Sequence, residues 1–165
     1  MTAFPKCIRM AQQGDEDRLF AIFAVAHAEN GYGDMDPERV RDAIAKGCVG
    51  DGNVIALVDG PERIEAVIAL TPERRWYSTD KPSNYYSTEM LIYVHPLHRR
   101  TRHAARLFRF AQWWEQETKL PVVLNLMPKE DFPGKERLFA RFGRRVGASF
   151  MIGGTDSWPS QVGTA

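Results

Sequence analysis

Three runs rich in β-branched and apolar residues, "NVIALVDG" from Asn53, "RIEAVIALTP" from Arg63 and "STEMLIYVHP" from Ser87, occupy the middle of the chain and restrict its fold more than any other feature. The first two are separated by "DGPE", turn chemistry suited to an antiparallel hairpin. The third is nearly unbroken in apolar character, which predicts a central strand covered on both faces. A sheet is therefore required, and its apolar faces need helices or a second sheet to cover them.

Helical periodicity supplies the cover. In "GDEDRLFAIFAVAHAEN", Leu19, Phe20, Phe23, Ala26 and His27 recur at helical spacing behind an acidic first turn. "PERVRDAIAKG" is a second helix with Asp36 as its cap, Pro37 at its first position and Gly47 as its stop. From Thr101 to about Thr118, Ala104, Leu107, Phe108, Ala111 and Trp114 form an amphipathic face, with Trp113 off that face as a candidate interface residue. "KCIRMA" is a short opening strand and "ERRWYSTDKPSNYY" a polar, aromatic-bearing loop. "PVVLNLMP" is a further buried strand, "GKERLFARFG" a short helix ended by Gly143, and "RRVGASFMIGG" a last strand. The order of elements predicts an α/β (α+β) layer structure with helices on a central sheet.

At 165 residues the chain is long enough for one core, so a single domain is expected. It carries 22 basic and 21 acidic side chains, a formal net charge of +1. That balance counts against a general nucleic-acid-binding or membrane-surface protein. The average hides an asymmetry, because residues 1–94 carry a net −5 and residues 95–165 a net +6. Cys7 and Cys48 are too few for a disulfide scaffold and are not spaced as metal ligands. They read as buried, reduced thiols of a cytoplasmic protein, and no metal is expected. The start "MTAFPKCIRM" has no signal-peptide apolar core, and no run reaches membrane-spanning length.

The stretch "VHPLHRRTRHAARLF", Val94 to Phe108, joins the third apolar run to the helix. A strand feeding a helix within a few residues exposes the helix's first N–H groups, and those donors with the helix dipole form an anion site. Arg99, Arg100 and Arg102 flank it and can add charge-assisted hydrogen bonds. From the residues alone a phosphate, a nucleic-acid backbone and plain solvent all remain open. His95 and His98 border the loop, and without a visible partner they read as structural or solvated.

The order of elements and this loop resemble the GNAT superfamily of acyl-CoA-dependent N-acyltransferases over about residues 6–152. The family's signature, V-x-P-x-x-[QR]-x-x-G-x-[GA]-x-x-L, is met by Val94, Pro96, Arg99, Ala104 and Leu107. Arg102 stands where the family usually has glycine. "KERLFARFGRRVGASF" is similar to the family's later helix and last strand, but Phe139 replaces a tyrosine thought to protonate the departing thiolate. The resemblance implies a GNAT-like domain over 1–152, with 153–165 a partly disordered tail. It implies a mostly antiparallel sheet with helices on both faces.

It also implies transfer of an acyl group, acetyl from acetyl-CoA first among them, to a primary amine of a small molecule or protein. Ile92, Tyr93, Val94, Arg99, Arg100, Thr101, Arg102, His103 and Ala104 are the implied cofactor-binding residues, with an amide of Ile92 to Val94 as oxyanion donor. Glu89 is the candidate general base. Tyr93 and the Tyr85–Tyr86 pair are the phenolic donors left once Phe139 is set aside. His27, Glu29, Trp76 and Tyr77 occupy elements that line the acceptor cleft in similar proteins. Homodimers are common in that family. The competing readings are a catalytically silent GNAT fold serving as an interaction partner, and a nucleic-acid-binding module using Arg99, Arg100, Arg102, Arg106, Arg109, Arg144 and Arg145.

Overall fold

The period-2 alternation of the first two apolar runs sends their side chains into two separate cores. In the computed structural model, which describes residues 3–30, 34–74, 77, 79–81, 84–125 and 132–145, five strands form one sheet in chain order. They are β1 (Arg9–Met10), β2 (Val54–Asp59), β3 (Ile64–Arg74), β4 (Tyr85–Val94) and β5 (Val122–Val123). Neighbours are antiparallel except β4 and β5, which run parallel. Helix α3 (His103–Thr118) makes the crossover that a parallel pair requires. Helices α1 (Glu16–Asn30) and α2 (Pro37–Val49) precede β2, and α4 (Phe132–Phe139) follows β5.

Ile55, Leu57, Val67 and Ala69 meet Leu19, Ile22, Ala26 and Ile44 of α1 and α2 on one face. Val54, Ala56, Val58, Ala66, Ile68 and Leu70 meet Leu107, Phe110 and Ala111 of α3 on the other. The expected mixed, mostly antiparallel sheet with helices on both faces is present. Among the described residues no helix is long and apolar enough to cross a membrane.

The ends of α2 show where local signals hold and where packing overrides them. Asp36 caps it, its carboxylate accepting from the amides of Glu38 and Arg39 at 3.1 Å. Gly47 does not stop it; the helix runs to Val49 and ends at Gly50, whose φ of 72° is the left-handed cap. Gly47 instead lets α2 approach β2, for a Cβ there would lie 2.5 Å from Ile55 Cδ1.

Several expectations are corrected by tertiary context. The opening strand keeps only two ladder residues, and Cys7 before it is exposed at φ 61°, whereas Cys48 is buried. Strands β3 and β4 extend into the predicted loop, pairing Glu73 with Tyr86 and Arg74 with Tyr85. The covered strand segments are β2 to Val58 and β3 to Leu70; β4 is only half-buried over most of its length, and β5 lies beside it only at Ser87 and Thr88. On α3, Ala104 and Trp114 are half-buried while His103 and Phe110 are buried. Trp113 packs at 4.8 Å on Phe4 and beside Phe110, so its ring belongs to that core. The expected last strand, the tail and the boundary at residue 152 lie outside the described residues.

Candidate active site at the β4 edge and the α3 N-terminus

The β4 edge is opened by two local irregularities. Beyond Thr88 the described residues place only β3 beside β4. Strand amides point alternately to either side, so those on the outer edge from Glu89 to Val94 have no strand partner among the described residues. The β3–β4 register skips Met90, a bulge that turns both Met90 and Leu91 toward the α1–α2 core and leaves Ile92 and Val94 on the α3 face.

Glu89 precedes the bulge. Its Oε1 accepts the Asn125 amide at 2.7 Å, while Oε2 is buried with no hydrogen-bond partner among the described residues. Burial pushes its carboxyl above the ordinary 4.5, and the Asn125 amide only partly offsets that. It borders a recess of about 410 Å³ with Arg39, Lys46, Thr71, Glu73 and Thr88.

The loop after β4 is tightly organised. His95 donates its amide to Glu65 O at 2.9 Å, and its Nδ1 accepts from the Leu97 amide at 3.4 Å, capping a 3-10 turn over Pro96–His98. Thr101 Oγ1 donates to His98 O at 2.6 Å and accepts the His103 amide at 3.2 Å. The amides of Arg100, Arg102, Ala104 and Ala105 have no hydrogen-bond partner among the described residues, and the Arg102 side chain at the N-cap makes no capping bond, so Thr101 covers only the His103 amide of the first turn. Arg102 sits at φ −87°, ψ 13°, a conformation open to any residue, so the replacement of glycine brings no backbone strain. The exposed side chains of Arg100 and Arg102 have no partner among the described residues either.

Behind the loop, His103 is buried and its Nε2 lies 2.6 Å from Glu65 Oε2, while Arg106 Nη1 lies 3.0 Å from its Nδ1. A guanidinium only donates, so Nδ1 accepts and Nε2 carries the proton given to Glu65. His98 Nδ1 is 3.6 Å from the same oxygen. These ligand-type atoms lie within 4.8 Å of one another, yet both nitrogens of His103 are committed to a relay tying α3 to the bulge at Glu65 in β3. The His103 side chain, expected in the cofactor set, is thereby a support of the loop. Sequence reasoning passed over Glu65 and Asn125; a lone charged or amide residue inside an apolar strand was the available signal for each.

On the other face, Tyr93 donates its hydroxyl to Glu29 Oε2 at 2.6 Å, and Arg99 forms an ion pair with the same carboxylate. Burial alone would raise the Glu29 carboxyl, but the bonds from Arg99 and Tyr93 outweigh it and hold it below the usual range. Burial, then the bond to Glu29, pushes the Tyr93 phenol up to about 12. His27 is half-buried two residues earlier on α1 and makes no side-chain hydrogen bond among the described residues. Tyr77 is exposed, Trp76 lies outside the described residues, and Tyr86 donates to Glu73. Phe139 packs edge-on against Phe108 at 4.8 Å.

No protein-family model matches the sequence, and no curated protein matches it. Solved structures do. A "probable acetyltransferase" superposes at TM-score 0.65 and 21% identity, covering 90% of this chain and 98% of its own. A predicted acetyltransferase with acetyl-CoA from Clostridium acetobutylicum gives 0.69 at 13%, over 89% and 94%. An aminoglycoside 6'-N-acetyltransferase from Acinetobacter haemolyticus gives 0.64 at 13%, over 90% and 97%. The chain has the GNAT fold. In that fold the β4 edge and the largely open first turn of α3 adjoin through one loop, residues 95–102.

Proposed function

We propose that the chain is an acyl-CoA-dependent N-acyltransferase that moves acetyl from acetyl-CoA to a primary amine. The observation that carries the reading is the row of unpartnered amides at Arg100, Arg102, Ala104 and Ala105, placed directly after an opened strand edge. Such a row is a preformed anion cradle for a pyrophosphate. The matched loop and the fold shared with an acetyltransferase determined with acetyl-CoA support it.

In this reading the pantetheine and acetyl group lie along the open edge of β4, and an amide of Ile92 to Val94 receives the oxyanion. Glu89 acts as general base, through water where needed; its burial raises its basicity toward neutral pH. The Tyr93 hydroxyl stays protonated at neutral pH and is the phenolic donor assigned to the thiolate, since Phe139 has no proton to give. No metal is assigned a role. A thiol-retaining chain that draws on acetyl-CoA belongs with the cytoplasmic pool of that cofactor.

The acceptor class is a small-molecule or protein amine; the aminoglycoside acetyltransferase among the similar structures supports the former. A catalytically silent GNAT fold is the second reading, favoured by Phe139. The two are separated by following thiol release from acetyl-CoA, and acetylated product by mass spectrometry, across aminoglycosides, polyamines, amino acids and peptide N-termini. Amine-dependent release supports the enzyme. Binding of acetyl-CoA without release from any amine would favour the silent fold.

A further inference from the structure

Glu29 lies in the last turn of α1 beside the loop that would take the cofactor, and the proposed chemistry gives its carboxylate no task. Its two partners differ in kind. Tyr93 is a strand residue, 5% exposed and fixed by packing. Arg99 is a loop residue at the matched signature position, its side chain 48% exposed, held by Glu29 and over the Tyr93 ring but not enclosed by the core. A guanidinium fork grips a carboxylate or a phosphate with the same paired N–H groups, so one arginine does not fully serve both.

In that last turn of α1 the helix dipole is negative. A carboxylate there is disfavoured unless a cation offsets it, and Arg99 does so in direct contact, with Lys135 adding a longer-range field. We propose that Glu29 is a positioning residue that competes with the cofactor's pyrophosphate for Arg99, so that acyl-CoA binding frees a carboxylate on the acceptor side of the site. The freed pair, Glu29 with the helix end, suits a protonated amine, and binding of the anionic cofactor thereby prepares the site for a cationic acceptor. This rests on the reading of the loop as an acyl-CoA site.

The test is calorimetric titration of CoA into the wild type, Glu29→Gln, Arg99→Ala and the double variant at one salt concentration, each checked for a folded melt. Removing the competitor should tighten CoA binding about fivefold, the scale of a half-exposed ion pair. Arg99→Ala should weaken it, and in that background Glu29→Gln should change nothing. If Glu29→Gln loses its fold, Glu29→Asp shortens the reach to Arg99 and should tighten binding in the same way. Unchanged or weakened binding in the glutamate variant would overturn the proposal, making Glu29 a structural clasp. So would a gain that persists without Arg99, which would reveal only a diffuse field. A wild type that takes no CoA would instead remove the acyl-CoA reading itself, and the competition with it.

Discussion

Glu29 and Glu89 are carboxylates that their surroundings drive in opposite directions. Arg99 and Tyr93 hold Glu29 ionised against its burial, whereas at Glu89 burial wins. A carboxyl raised on folding penalises the folded state above its folded pKa, and the penalty disappears below the unfolded value near 4.5. Glu89→Gln, which keeps an acceptor for the Asn125 amide, should therefore raise the melting temperature at neutral pH and not in acid. The same substitution should lower kcat by roughly 10²–10⁴, the worth of a positioned base, and remove the acid limb of the pH–rate profile. Asp15 has the opposite sign. Arg9 donates to it at 2.6 and 2.8 Å, and the Gln12 amide at 3.0 Å, which lowers its carboxyl below 3.8. Its contribution is fully present above that value and is lost as pH falls through the folded pKa. Asp15→Ala should cost about 2–3 kcal/mol at pH 7 by denaturant unfolding, with the difference shrinking in strong acid.

Among the elements, α2 and α3 each carry a feature whose purpose is contact with something else. Alanine is a better helix former than glycine by about 1 kcal/mol, but at Gly47 the added Cβ meets a fully buried Ile55. Overpacking of that kind costs about 1–3 kcal/mol, so Gly47→Ala should lower stability despite its propensity, as thermal melts will register. At the α3 N-terminus, Arg99→Ala should weaken CoA binding more than Arg109→Ala, since Arg109 lies about one turn beyond the last open amide, at Ala105, and acts only through a screened field. Equal losses in calorimetry would mean that the arginines supply charge without geometry.

The same elements show what the sequence could reveal. Strands β2 to β4, helix α3, the Asp36 cap and the loop from Val94 to Leu107 rest on periodicity or short spacing, which a single chain displays directly. Glu29 and Arg99 are 70 positions apart, and Glu65 and His103 are 38 apart. Neither pairing has a local signature, and the second depends on a bulge at Glu65 that no periodicity announces.

At the scale of the molecule, charge and topology bring one end of the sheet into use. The basic second half contributes the loop and α3, and the acidic first half contributes Glu29 and Glu65, which bind that loop from both faces of the sheet. Part of the positive charge is neutralised internally, at Arg99 by Glu29 of the first half and at Arg145 by Glu136 of the second half itself. That weakens the case for a continuous nucleic-acid surface, and any such binding should be slight and steeply salt-dependent. The central claim is that the amides after β4 form an acyl-CoA site, and its most direct measurement is a calorimetric titration with acetyl-CoA alongside a thermal melt. The account predicts a saturable heat and, at a ligand concentration about a hundred times the dissociation constant, about 2.7 kcal/mol of added stability, or several degrees in Tm. No heat and no shift at millimolar acetyl-CoA would contradict it.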